Sequence, residues 1–310
     1  MIQMNKKLLV VIVGPTGIGK TALSIKLAKK FNAEIISADS RQFYRETEIG
    51  TAKPDNEELA AAPHHLINTL SIHDNYSVGD FEKEATSIID QLFSDNSMVI
   101  MVGGSGLYVD AVCYGMDEFP SIDPKHRKQL NELFKKEGIE PLQKELKLLD
   151  ADYFRIVDQQ NPQRLIRALE VIRATGQTFT SFRKRKKVDR PFNILKIGLE
   201  MDREKLYDRI DLRMDLMIDN GLFEEAEKLY PFKALNALQT VGYQEIFGYL
   251  AGSYDKAEAI RLLKRNSRRY AKRQMTWFKR DQNTHWYESN QTNEIISLVQ
   301  SELESLVSED

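Results

Sequence analysis

The sequence predicts an α/β protein, a parallel-sheet core that carries a helical insertion, on three observations. Strand-like apolar runs alternate with helical patterns as far as Gly104. A phosphate loop joins the first run to the first helix. From about Ser121 to Thr180, strand signals give way to charged helical segments.

Leu8 to Val13 (LLVVIV) is an unbroken β-branched and leucine run, which suits a strand buried on both faces of a parallel sheet. A helical pattern follows from about Thr21 to Lys30. Glu34 to Ala38 reads as a second strand. Phe81 to Phe93 reads as a helix with Ala85, Ile88, Ile89 and Leu92 on one face. Met98 to Val102 is another buried strand, closed by Gly103-Gly104. This alternation implies βαβ units. The character changes near Phe119-Pro120. Asp123-Pro124 marks a helix start, with proline at the first helical position. Leu165, Leu169 and Ile172 share a face of a further helix, and the basic run Arg183 to Lys187 closes the block. The expected division is a core of residues 1–118 and 191–310 with an insertion at 119–190. In the returning core, Ile194 to Leu199 reads as a strand. Asp202 caps a helix whose Leu206, Ile210, Met214, Met217 and Ile218 recur at helical spacing, and His285-Trp286-Tyr287 reads as a last short strand.

Composition sets outer bounds. The chain has 310 residues, 42% hydrophobic and 29% charged, which argues against disorder. Its net charge of -2 does not mark a nucleic-acid binder. The lone cysteine, Cys113, excludes a disulfide framework and a multi-cysteine zinc site, and reads as a small buried hydrophobe. Lys6 and Lys7 precede an apolar run too short for a signal peptide, and no stretch nears the ~20 apolar residues of a membrane span. A cytoplasmic protein is expected, with no membrane association.

Gly14-Pro15-Thr16-Gly17-Ile18-Gly19-Lys20-Thr21 fits the pattern G-x-x-x-x-G-K-[ST], with a buried strand before it and a helix after it. The core is therefore P-loop NTPase-like. Glycines let backbone N–H groups converge on an anion, and the helix N-terminus adds positive potential. Lys20 supplies a cation, and the Thr21 hydroxyl can hold Mg²⁺. ATP, another nucleotide or a pyrophosphate ester would each suit this loop. The strand Met98 to Val102 ends in Gly103-Gly104-Ser105 and not in the aspartate of many ATP-hydrolysing relatives, which weakens an ATPase reading without excluding a kinase.

Asp39 follows the second strand, on the edge where open α/β sheets bind ligands. There it can bind metal, accept a proton or cap a turn. Ser105 ends another strand by the same logic; its hydroxyl can meet a phosphate or a substrate amine, or serve only a turn.

Several further segments occur in order with the phosphate loop: Ser37 to Tyr44, Ile49 to Pro54, Ala62-Pro63-His64-His65-Leu66, Val102 to Tyr108, Asn161 to Val171, Val241-Gly242-Tyr243, and Ala271 to Trp277. Together they resemble the tRNA dimethylallyltransferases, over nearly the whole chain. The resemblance implies transfer of a dimethylallyl group from dimethylallyl diphosphate to N6 of adenine 37, beside the anticodon. The phosphate loop would then hold the donor's pyrophosphate with Mg²⁺ bound through Thr21. No Asp-Asp-x-x-Asp cluster is present to do so. By resemblance Asp39 is the general base and Ser105, often threonine in the family, contacts the substrate near the reacting centre. Asp39, Ser40, Arg41 and Gln42 match the segment that meets the target base. Gln163, Arg164, Leu165, Ile166 and Arg167, then Gln239, Thr240, Val241, Gly242, Tyr243 and Gln244, match further segments contacting the tRNA anticodon stem-loop. Arg127 matches a single contact in the insertion. A monomer is expected.

Residues 261–280 hold nine cations and no acid, an electrostatic footprint suited to a phosphate backbone, or else a solvated basic helix. Tyr270, Trp277 and Phe278 interleave. Arg183 to Lys187 reads as a further contact or a linker, and His64 and His65 read as structural. The loop alone would favour a nucleoside or nucleotide kinase, though that reading has no evident use for the insertion or the basic helix.

Overall fold

A computed structural model describes residues 6–184 and 188–308. It contains one six-stranded, all-parallel sheet in the order β3-β2-β4-β1-β5-β6. Chain order runs β1 (Leu8–Val13), α1 (Lys20–Phe31), β2 (Ile35–Ser37), α2 (Asn56–Ala61), β3 (His64–His65), α3 (Val78–Leu92), β4 (Met98–Gly103) and α4 (Gly106–Tyr114). A separate compact unit, Gly115–Val188, follows with α5 (Pro124–Glu137), α6 (Glu140–Leu149), α7 (Ala151–Ile156), α8 (Pro162–Thr175) and α9 (Phe179–Phe182). The first unit resumes with β5 (Asn193–Glu200), α10 (Arg203–Asp219), α11 (Leu222–Leu229), α12 (Tyr243–Leu250), α13 (Lys256–Phe278), β6 (Thr284–Glu288) and α14 (Thr292–Ser308).

β1 lies at the centre because every one of its residues can be buried. Leu8, Val10 and Ile12 point into one core, Leu9, Val11 and Val13 into another. The two-residue side-chain period thus feeds both faces of the sheet at once. One face is covered by apolar residues of α1, α10, α13 and α14, among them Leu27, Ile210, Ala271 and Val299. The other is covered by α3 and α4 through Phe81, Ala85, Ile89, Val109 and Val112, with the buried Cys113. Each valine, leucine, isoleucine or phenylalanine among them contributes about 1.5–3 kcal/mol on leaving water. A third core beside the sheet joins α10, α11, α12 and α13 around Leu222, Tyr243 and Leu263.

After β1 the chain moves to β2 and β3, returns to insert β4, then crosses to β5 and β6. β1 is therefore where the connections change direction, and parallel order places the phosphate loop, Asp39 and Ser105 on one edge.

In the Gly115–Val188 unit, Leu130, Leu142, Leu146, Leu165 and Leu169 form the core. Asp123 caps α5 by accepting from Lys125 N, Asn161 caps α8 from Arg164 N, and Asp202 caps α10 from Glu204 N and Lys205 N. The basic run is described only at Arg183 and Lys184; Arg185 to Lys187 lie outside the described residues. Among the described residues, no helix is long and apolar enough to cross a membrane.

Candidate functional site

A cleft of about 540 Å³ lies against the carboxyl edge of the sheet, lined by Lys20, Thr21, Asp39, Gln42, Arg213 and Tyr270 among others. The phosphate loop forms one wall. Gly19 precedes α1 with φ 106°, a left-handed conformation that glycine adopts without steric cost. The Lys20 ammonium donates to the Pro15 carbonyl at 2.9 Å, folded back over its own loop. Burial lowers its pKa to about 8; the Asp39 carboxylate opposes that fall and the Arg213 guanidinium adds to it.

Two arginines from α10 brace the same loop. Arg209 Nε donates to Gly17 O at 3.0 Å, while Arg213 reaches Thr16 Oγ1 at 3.5 Å and Ala52 O at 3.3 Å. Burial pushes the Arg213 pKa down, against the pull of Asp39. Two partly buried cations facing one cavity are an unfavourable arrangement unless an anion completes it.

Asp39 stands half-buried at the end of β2, with Oδ1 accepting from Arg41 N at 3.0 Å. Ser105, at the end of β4, accepts from Ser40 N at 3.0 Å and donates to Ser40 Oγ at 3.1 Å. The Tyr270 hydroxyl bonds to Ser105; burial, then the charge of Asp39, pushes its pKa up to about 12. Gln42 donates to Thr51 O at 3.4 Å and Ala52 O at 3.2 Å, and accepts from Ser37 Oγ at 3.2 Å. Arg41 donates to Asn236 O at 2.9 Å and Ala237 O at 3.2 Å. Thr240, Val241 and Gly242 also line the cleft.

Thirteen expected positions therefore share or border this one space: Thr16, Gly17, Gly19, Lys20, Thr21, Asp39, Arg41, Gln42, Thr240, Val241 and Gly242 line it, and Ser40, next to Asp39 in the chain, bonds to Ser105. Gly14, Pro15 and Ile18 are the buried residues of the loop, and Tyr243 is fully buried in the third core. Gln239 and Gln244 bond to each other at 2.9 Å on the surface. The remaining expectations fall in the Gly115–Val188 unit. There Arg127 grips the buried Glu170 with two bonds of 2.6 and 2.8 Å, and Arg167 adds one of 2.6 Å. Leu165 and Ile166 are closed off in that unit's core at 0% and 1% exposure. Within the segment 163–167, polar groups are therefore presented by Gln163, Arg164 and Arg167.

Sequence reasoning missed Arg213, Tyr270, Gln274 and Lys53 as cleft residues. Lys53 donates to Tyr44 O and Asn68 Oδ1, each at 2.5 Å, and burial lowers its pKa to about 8. The expectation that His64 is structural needs an addition. Its Nδ1 bonds to the Ala62 carbonyl at 2.8 Å, which fixes the tautomer, and Nε2 is left buried with no partner at the cleft wall. Among the described residues no group of three or more His, Cys, Asp or Glu side chains could hold a metal ion.

Comparison with known proteins identifies the family. The family model for IPP transferases matches residues 42–281. The chain belongs to the IPP transferase family. Within the family it is 52% identical to the tRNA dimethylallyltransferase of Christiangramia forsetii over 296 residues, 95% of this chain and 98% of the relative. It is 49% identical to tRNA dimethylallyltransferase 1 of Bacteroides fragilis over 300 residues, 97% and 100% of the two chains. Its fold resembles the crystal structure of the tRNA isopentenylpyrophosphate transferase of Bacillus halodurans, with a TM-score of 0.73, 39% identity, and 97% and 98% of the chains covered. A eukaryotic dimethylallyltransferase acting on tRNA aligns with a TM-score of 0.75 at 26% identity, covering 93% of this chain and 75% of that one. IPP transferase membership makes the chain a prenyltransferase.

Proposed function

We propose that this protein transfers the dimethylallyl group of dimethylallyl diphosphate to N6 of adenine 37 in the tRNA anticodon loop, giving N6-(dimethylallyl)adenosine. The observation that carries this reading is that Lys20, Arg213 and Asp39 line a single cleft. Two cations with a glycine loop suit a diphosphate, and a carboxylate beside them suits a proton acceptor. Relatives named tRNA dimethylallyltransferase support it.

The reacting adenine is extruded from its stack, at a cost of a few kcal/mol. Its N6 lone pair attacks the first carbon of the dimethylallyl group as that carbon's bond to oxygen breaks. Diphosphate departs into the loop amides, Lys20 and Arg213, whose charges match the growing negative charge. Asp39 takes the N6 proton, which removes positive charge as the bond forms and is worth about 10²–10⁴-fold. Ser105, through its contacts with Ser40 and Tyr270, orients the adenine side of the site.

The donor set fits Mg²⁺. Thr21 offers one neutral oxygen at the start of α1, with no cluster of three or more His, Cys, Asp or Glu ligands among the described residues, and Mg²⁺ commonly sits on few protein oxygens with substrate phosphates and waters. When bound, it neutralises diphosphate charge.

Unmodified tRNA incubated with labelled dimethylallyl diphosphate, then digested to nucleosides and weighed by mass spectrometry, tests the proposal. One dimethylallyl group on adenosine 37 is expected. Unchanged nucleosides, or ATP turnover with a small acceptor, would overturn it.

A further inference from the structure

α13 is strongly basic along its length, yet its inward row is what meets the site. Tyr270, Gln274 and Trp277, at positions i, i+4 and i+7, share one face. Trp277 Nε1 donates to Asp110 Oδ2 at 2.9 Å and anchors the helix at one end of that row.

Gln274, 6% exposed, is the unusual member. Its amide oxygen accepts from the Thr16 N–H at 2.9 Å, and its amide nitrogen donates to the Gly104 carbonyl at 2.9 Å. Thr16 belongs to the phosphate loop; Gly104 immediately precedes Ser105. One side chain from far along the chain thus bridges the two halves of the cleft. Only a group that donates and accepts at once can make both bonds, so neither glutamate nor methionine replaces it. The bridge also explains a glycine: a Cβ at position 104 would lie 2.3 Å from Gln274 Nε2, closer than any side chain tolerates.

We propose that Gln274 is a positioning residue: its amide sets the spacing between the phosphate loop and the Gly104–Ser105 turn. On the function proposed above, that spacing is the distance over which the donor carbon and the adenine amine meet. A misplacement of about 1 Å at such a site costs on the order of 10²-fold in rate.

The test compares Gln274→Met, Gln274→Glu and Gly104→Ala with the wild-type protein. Measured quantities are kcat, donor KM, tRNA affinity and the binding of inorganic pyrophosphate by titration calorimetry. Gln274→Met is expected to lose about 10²-fold in kcat with tRNA affinity within about twofold, since the bridge acts on alignment and not on binding. Gln274→Glu adds a carboxylate beside the anion site and should also raise donor KM and weaken pyrophosphate binding by about tenfold or more. Gly104→Ala leaves Gln274 in place but displaces its amide, and should reproduce the kcat loss. The double variant Gly104→Ala/Gln274→Met should lose no more than either single one, because both break the same bridge. Overturning results are a kcat within about threefold of wild type in Gln274→Met, or losses that multiply in the double variant. Should Gln274→Met not fold, Gly104→Ala alone decides by the same kcat criterion. If the wild-type protein transfers nothing, the activity reading fails separately. The Thr16–Gly104 backbone spacing in crystals of Gln274→Met then decides this one: a spacing unchanged from the wild-type protein overturns it.

Discussion

The Tyr243 phenol donates to Glu225 Oε1 at 2.6 Å, and the same carboxylate accepts the N–H groups of Glu48, Ile49 and Gly50 at 3.0, 2.8 and 2.8 Å. One acid from α11 therefore holds the loop that carries Ala52 and Lys53 into the cleft, and ties it to the buried start of α12. Burial, then the Glu225 charge, raises the Tyr243 pKa and keeps the phenol a donor. Glu225→Ala strands three backbone donors and should lower unfolding free energy by about 2–3 kcal/mol, while Tyr243→Phe should cost about 1 kcal/mol. Urea unfolding of the two variants measures this; equal losses would show that the backbone bonds contribute nothing.

Asp39→Asn keeps a carbonyl oxygen for Arg41 N while removing the proton acceptor. Turnover should fall by about 10²–10⁴-fold. Inorganic pyrophosphate should bind at least as well, since a negative charge has left the cleft. Steady-state kinetics with a pyrophosphate titration check both halves, and full activity would remove Asp39 from the chemistry.

Lys20 gives the pH dependence a sign. Its pKa is lowered to about 8, so the free protein loses this charge as pH rises through 8, and a bound anion must restore it. Pyrophosphate affinity should therefore fall with rising pH above about 8, with proton uptake on binding. Lys53, also lowered to about 8, adds to the same trend. Lys20→Met should bind weakly at all pH values and show a shallower slope. Calorimetry in buffers of different ionisation enthalpy reads the uptake directly.

On α13 and at its C-terminal cap, Arg261, Lys264, Arg268 and Lys279 are paired with Glu258, Asp215, Asp211 and Glu200. Arg269, Lys272 and Arg273 are exposed and carry no ion pair among those described. Replacing these three by alanine should weaken tRNA binding and reduce the slope of log affinity against log salt by up to about three, near one for each phosphate no longer neutralised. Replacing Arg261, paired on its own helix, should change that slope little. Filter binding across a salt series separates the two.

Glu170 is 3% exposed and collects Arg127 and Arg167. The arginines pull the pKa of this buried carboxyl down against the effect of its burial. Because both guanidinium groups are partly exposed, Glu170→Ala should cost about 1–3 kcal/mol, less than breaking a fully buried ion pair. Limited proteolysis within residues 115–188 should show faster cleavage in this variant.

The phosphate loop, β1 and the cap residues Asp123 and Asp202 are legible in the sequence because each is a local event: a hydrophobic period, a glycine spacing, a side chain reaching the next turn. β3 is not. His64–His65 is a two-residue strand, too short to show any period, and exists because Ile35 and Ile36 of β2 pair with it. Arg213 looks like an ordinary polar helical position; its only trace is Arg209 four residues earlier on the flank of Ile210 and Met214. For residues 261–280 the cations can be counted in the sequence but their pairing cannot, since three of the four paired acids lie outside the helix. Glu258, within α13 itself, is also outside that window.

Residue order alone determined that a buried strand would feed a glycine loop and a helix, and that an acid and a serine would end neighbouring strands. Backbone preference and side-chain period act over a few residues, so they can be read along the chain. Tertiary structure decided that the Gln274 amide joins residues 16 and 104, that Arg213 faces Asp39 across a cleft, and that Glu225 holds the loop at 48–50. Those pairings join positions about 170 to 260 residues apart. They form only when packing against the sheet brings complementary polar groups together away from water.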